Sequence, residues 1–160
     1  MKIIRITSAT LALILVVGCA SLGLTGTIQT HFTTVMVKDL AIGFKTVVRL
    51  DGGERYNVEN RTANEIEVAY SAVTPAWIQP DGGGFIPIPD IKWVTITPSQ
   101  VKIKSGKKGE VDVEVSVPDD ARYANKKYEF WIRAETVGGS VGVALISRVR
   151  VNTIEKPSQK

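Results

Sequence analysis

Cysteine and histidine are almost missing from this chain: Cys19 and His31 are the only ones in 160 residues. A single cysteine rules out an intrachain disulfide, a CxxC pair and a thiolate metal cage. The two singletons together rule out, within one chain, the catalytic and zinc constellations that draw His or Cys in groups. After residue 30 no stretch spaces its apolar residues at three and four, so helix content should be low. A basic footprint for nucleic acid is missing too. The formal net charge is +4, but Lys2 and Arg5 stand in the first five residues, and without them 18 basic residues face 16 acidic ones. The bases after Lys38 are scattered among acids. With 44% hydrophobic and 22% charged residues the chain is neither a disordered nor a polytopic membrane sequence, and its length suffices for one domain with a real core plus a short extension.

What is present is β-pattern. In Glu110-Val111-Asp112-Val113-Glu114-Val115-Ser116-Val117 four valines take one parity and three acids and a serine the other, the period of a strand with one dry and one wet face. Ser105-Gly106-Lys107-Lys108-Gly109 reads as the turn before it and Pro118-Asp119-Asp120 as its stop. A sheet with one wet face needs a second layer against the other.

Further strands are expected at 35–37, at 44–50 before the turn Asp51-Gly52-Gly53-Glu54, around Tyr56 and Val58, and at 65–70 with Ile66, Val68 and Tyr70 on one side. Residues 74–92 hold four of the seven prolines and the triple Gly82-Gly83-Gly84, so a long irregular connection is expected there. Strands resume at 93–97 and 101–103. After a single helical turn within 119–125, Tyr128, Phe130, Ile132 and Ala134 share one parity. Gly138-Gly139 marks a hairpin, and Val141, Val143, Leu145, Val149 and Val151 give the last strand an apolar face. About eight strands with turns every 8 to 12 residues or so predict an all-β antiparallel sandwich.

Ahead of it, Lys2 and Arg5 precede an uncharged apolar run over 6–18, the plan of a secretory signal. The run ends in Val16-Val17-Gly18-Cys19, which resembles a bacterial lipobox and implies acylation at Cys19. An uncleaved N-terminal membrane-anchor helix and an ordinary cleaved signal are the alternatives, the anchor because no charge appears between Arg5 and Lys38. All three place the rest of the chain outside the cytoplasm. Residues 21–34, small, polar and threonine-rich, suit a tether or a first edge strand.

The C-terminal half contains Trp93-x-x-Ile96-x-Pro98, Val101-x-Ile103 with a glycine turn, Val113-x-Val115-x-Val117-Pro118, and Tyr128 in an aromatic strand. In this it resembles the immunoglobulin-like accessory modules of many bacterial and archaeal surface proteins. Asn60, after Tyr56 and Val58 and before a polar turn, is similar to a feature of their first half. The resemblance covers about residues 40–153 and implies non-enzymatic work as spacer, adhesion module or assembly subunit. It transfers no functional residue, and the insertion at 74–92 departs from the compact versions.

Trp77, Phe85, Trp93 and Trp131 bracket that insertion or sit on a polar parity, and aromatics on a rigid β scaffold can stack on sugar rings or fill a partner's pocket. They can equally fold back over Trp131 as a small satellite core. Asp81 and Asp90, Asp51 with Glu54, and Asp119 with Asp120 offer oxygen ligands for Ca²⁺ but lack the spacing of a calcium loop, and turn chemistry accounts for them. No metal and no cofactor is therefore expected. The triple glycine lacks the Lys-Ser/Thr and helix of a phosphate cradle. Acids on wet strand positions are expected to be solvated rather than hydrolytic, and serine chemistry would need the remote His31.

The resulting expectation is a signal or anchor at 1–18, a tether at 19–34, an immunoglobulin-like sandwich at 35–153 and a polar tail at 154–160. It describes a non-enzymatic envelope lipoprotein presenting a binding or assembly surface to another envelope protein or a surface polymer, and not to nucleic acid. A filament subunit that donates its N-terminal strand over 25–37, or a carbohydrate-binding module, are the alternatives.

Overall fold

Strands form where apolar and polar residues alternate. The computed structural model describes residues 27–50, 52–78, 83–138 and 142–157; residues 1–26 with the expected signal or anchor helix and Cys19, as well as Asp51, Asp81, Gly82 and Val141, lie outside them. Eleven strands occur among the described residues: β1 (Ile28–Gln29), β2 (Thr34–Ala41), β3 (Lys45–Val47), β4 (Tyr56–Asn60), β5 (Ile66–Val73), β6 (Ile86–Pro87), β7 (Val94–Thr97), β8 (Gln100–Ile103), β9 (Lys108–Ser116), β10 (Lys127–Val137) and β11 (Ala144–Ile154). The excess over the expected eight comes partly from β1 and β6, two residues each, too short to show a period.

β9, the strand with the clearest alternation, is the hub of a five-stranded sheet: it pairs with β4, β3 and β7, and β1 adds to β4. The second sheet runs β2-β11-β10-β5-β8, with β6 beside β10. Two pairings depart from the antiparallel expectation. β2 lies parallel to β11 and β6 parallel to β10. Both strands reach the second sheet from non-hairpin connections, so no tight turn fixes their direction.

The dry faces meet as expected. Val111, Val113, Val115 and Val117 from one sheet and Tyr128, Phe130, Ile132, Ala134, Val149 and Val151 from the other are all buried in one core, each of the larger side chains contributing about 1.5–3 kcal/mol of transfer free energy. Gly109 begins the dry parity of β9 because a Cβ there would lie 2.5 Å from Ile103 Cδ1.

The sandwich starts earlier than residue 35. Ile28 and Phe32, within the stretch read as tether, are 3% and 1% exposed, and Phe32 packs on Tyr56 at 4.9 Å between ring centroids. Two apolar residues in a polar, threonine-rich setting carry no periodic signal, which is why they escape a sequence reading. β2 covers an edge of its own sheet, with a bulge at Asp39 (φ 56°) where its register against β11 shifts.

Asn60 pins the far end of the sandwich. Its Nδ2 donates to the carbonyls of Asn64 (2.7 Å) and Ile103 (2.8 Å), while its Oδ1 accepts from the Thr62 amide (2.8 Å) and hydroxyl (2.7 Å). Its backbone joins Gly106 and Lys107 in the β8–β9 turn. Every polar valence of this fully buried side chain is met.

Candidate functional site

The pleat of β10 sends Lys127, Glu129, Trp131, Arg133 and Glu135 to the outer face of the six-stranded sheet. Across the ladder, Glu129 faces Arg150, Trp131 faces Arg148 and Arg133 faces Ile146; on the next strand Thr34 faces Arg148 and Met36 faces Arg150. An outer face should be wet, yet Glu129 is 1% exposed.

The cause is the insertion at 74–92. Its end lies along β10 through β6 and through the Ile88 amide, which donates to the Glu129 carbonyl at 2.9 Å. Just before β6, the Phe85 ring lies 4.6 Å from the Arg150 guanidinium and 5.8 Å from Lys127 Nζ, and Lys127 Nζ donates to the Gly83 carbonyl at 3.0 Å. Beneath this cover the Glu129 carboxylate accepts from Arg150 Nε (2.9 Å) and from the Trp131 indole N–H (2.9 Å), with Arg148 Nε at 3.6 Å. A buried carboxylate needs such partners, and charge-assisted bonds of this kind are the stronger sort.

With its N–H committed to Glu129, Trp131 offers its ring surface to what lies beside it. That is an open cleft of about 340 Å³ lined by Thr33, Trp77, Trp131, Ile146 and Arg148. Trp77 is 61% exposed and Ile146 49%. One wall of the cleft is therefore a fixed indole on a strand, and another is an exposed indole on the loop.

Of the four aromatic residues singled out from the sequence, the structure brings Trp77 and Trp131 into this cleft and sets Phe85 against Arg150 on the same face. Trp93 is elsewhere, packed edge-on against Tyr123 (4.7 Å) and Tyr128 (6.0 Å) beside the core. The loop thus divides the two alternatives: Phe85 folds back as cover, whereas Trp77 remains largely in solvent. Glu129, Arg148, Arg150, Thr33 and Ile146 were not anticipated. A usable signal existed in Glu129-x-Trp131 and Arg148-x-Arg150, which share the outer parity of two strands joined by a hairpin.

Three of the acids considered as calcium ligands, Asp90, Asp119 and Asp120, have other partners, while Asp51 and Asp81 lie outside the described residues. Asp90 Oδ1 caps the turn at Ile91–Trp93 by accepting from the Lys92 amide, and Asp120 Oδ1 caps Ala121–Tyr123 by accepting from the Arg122 amide, each at 2.9 Å. Hydrogen bonds from Arg122 hold the Asp120 carboxyl below its ordinary range, and Asp119 pairs with Lys156 at 2.7 Å. Among the described residues no group of three or more His, Cys, Asp or Glu side chains could hold a metal ion. On the wet face of β9, Asp112 is paired with Arg49 and Arg55, and Glu114 with Lys45.

No protein-family model and no curated protein matches the chain. Among solved structures it is similar to the ASH/PapD-like domain of human CEP192, at 12% identity and a TM-score of 0.58 over 83% of this chain and 87% of that one. It is similar as well to a candidate carbohydrate-binding protein from Bacteroides ovatus (18% identity, TM-score 0.55, 81% of this chain) and to the class 5 fimbriae chaperone CfaA (13% identity, TM-score 0.52, 81% of this chain). The chain spans 37% and 57% of the lengths of those two proteins. These likenesses show the fold: a PapD-like, immunoglobulin-like β-sandwich.

Proposed function

We propose that this chain is a non-enzymatic, extracytoplasmic binding protein of the cell envelope, held to the membrane at an acylated Cys19, that engages its partner through the outer face of the six-stranded sheet. The observation that carries this is the cleft between Trp77 and Trp131. A large aromatic kept 61% in solvent beside a second one locked by a hydrogen bond is a prepared contact surface, and tryptophan and arginine are the residues that dominate binding energetics. Occurrence of the fold in chaperones and in a candidate carbohydrate-binding protein supports binding over chemistry, and the partner is another envelope protein or a surface polymer.

Two measurements test this. Intact mass and membrane partition of the full chain in a bacterial host should give a mature acylated species that begins at Cys19 and is lost in Cys19→Ser. A full-length product indifferent to the substitution would remove the lipid anchor. Separately, the chain should retain material from solubilised envelope fractions that Trp77→Ala releases without a change in melting temperature. Equal retention by the two proteins would remove the cleft.

A further inference from the structure

The chain enters the sandwich beside a turn made largely of lysine. Four of the seven residues over 102–108 are Lys102, Lys104, Lys107 and Lys108, all exposed, and the β8–β9 connection closes where the Lys107 amide donates to the Lys104 carbonyl at 3.0 Å. Asn60 fixes this turn from behind. Its backbone amide donates to the Lys107 carbonyl at 2.9 Å, its carbonyl accepts from the Gly106 amide at 2.8 Å, and Ser105 Oγ donates to the nearby Thr62 carbonyl at 2.7 Å. One strand over, β1 begins: Ile28 faces Asn60, and the Arg61 amide donates to the Thr27 carbonyl at 3.1 Å. Thr27 and the lysine turn are thus about two strand spacings apart, roughly 10 Å, at one end of the molecule.

Charge at this end is layered. At the tip stand Lys104 and Lys107, with Arg61 and Glu65 in the neighbouring turn, and Arg61 reaches back to Glu59 at 3.2 Å. One ladder step behind, Lys102 faces Glu67 and Lys108 faces Glu59. The outermost layer is therefore basic, and the acids sit mostly beneath it.

We infer that the lysine turn rests on the anionic headgroups of the bilayer to which the chain is attached, so that the domain stands on its β8–β9 end. This rests on the membrane attachment at Cys19 proposed above and adds a second, electrostatic contact. Thr27 is the eighth residue after Cys19, so the two are separated by roughly 29 Å at most, at about 3.6 Å per residue. The opposite end, with Lys45 and Lys156, lies a strand length further off, roughly 35 Å for the eleven residues of β10. Attraction to headgroups acts over about 8 Å at physiological salt, and each lysine that comes that close shifts the docked population about fivefold. Because Asn60 holds the turn ready-made, little backbone freedom is lost on docking. A soluble polyanion would meet the same lysines, but attachment keeps the bilayer within reach at all times.

The test reconstitutes the full mature chain from a bacterial host in vesicles of phosphatidylcholine alone, or with about a third phosphatidylglycerol. Acetylation of each lysine by an N-hydroxysuccinimide ester is followed by mass spectrometry. Flotation on the neutral vesicles comes first, and a chain that fails to float would overturn the attachment and this contact with it. On a chain that floats with both, Lys104 and Lys107 should react about fivefold or more slowly on the anionic vesicles, while Lys45 and Lys156 react alike on the two. Raising NaCl from about 0.15 M to about 1 M should remove the difference. Lys104→Gln/Lys107→Gln should return Lys102 and Lys108 to their rates on neutral vesicles. Lys104→Arg/Lys107→Arg should leave them protected, because the surface reads charge.

Equal rates on the two kinds of vesicle, or protection that survives in the Gln pair, would overturn the docking and leave the lipid anchor standing. Protection given by a soluble glycerol phosphate polymer and not by phosphatidylglycerol would also overturn it, assigning the turn to a polyanion in solution. The lipid comparison on the unsubstituted chain decides the matter whether or not the variants fold.

Discussion

Glu129→Gln isolates the charge beneath the loop. The substitution keeps the side chain's size and a carbonyl oxygen for the Trp131 indole, and it removes the carboxylate charge that Arg150 and Arg148 both face. Breaking a buried pair by removing one partner costs about 3–5 kcal/mol. Arg150, with its side chain 13% exposed, is close to that limit, while Arg148 at 33% regains much of its hydration. The expected loss is therefore about 2–4 kcal/mol, which lowers the melting temperature of a domain of this size by roughly 10 °C. Urea denaturation followed by near-ultraviolet circular dichroism measures it, with an unchanged m-value required for the comparison. The double variant Glu129→Gln/Arg150→Gln should recover part of the loss, giving a coupling of about 1 kcal/mol or more. A single-variant loss below about 1 kcal/mol together with additive doubles would show that the cluster is solvated and that Trp131 is not held by it.

Asn60→Ala should cost about 2–4 kcal/mol in the same denaturation assay, since it takes a donor from the Asn64 and Ile103 carbonyls and the acceptor from the Thr62 amide around a buried site. Tyr70 and Tyr56 should behave oppositely. The Tyr70 hydroxyl is buried without a hydrogen-bond partner, so Tyr70→Phe should be neutral or stabilising, whereas Tyr56→Phe removes the 2.9 Å bond to Ser147 and should cost about 1 kcal/mol. Burial pushes both phenols above their ordinary value near 10. The folded state favours the neutral form, so this contribution is intact below pH about 10 and is lost as the pH rises beyond it. Tyr70→Phe should lessen that alkaline loss in a stability series from pH 8 to about 11.

Much of the sandwich was legible because β9, β10 and β11 carry clean alternation, and the parity that places Val113, Phe130 and Val149 inside is set by the pleat alone. The turn at Gly106 was visible as a motif, and Asn60 stood out as the residue between a strand and a polar turn, although nothing in the sequence announced its burial. Pairing was less legible: nothing local in 34–41 says that it lies beside a strand more than a hundred residues later, and parallel to it. Trp77 and Trp131 were found by residue type. Glu129 was not, because its parity said solvent and only the returning loop makes it interior. Alternation reports the two faces of a sheet; it does not report a third layer laid over one of them.

Thr33, at the rim of the cleft, directly precedes β2. Under the proposed acylation of Cys19, the leash from the lipid to the first paired residue, Ile28, can stretch no further than about 30 Å at roughly 3.3–3.6 Å per residue. The polypeptide would then enter through β1 of the five-stranded sheet and cross to the six-stranded one at Thr34, beside the cleft, while β11 leaves at the opposite end of that sheet, where Ile154 faces Ala41. Such a molecule is built for short range: it would sample only the layer within a few nanometres of the bilayer, and any polymer it catches would be drawn toward the membrane, not displayed away from it.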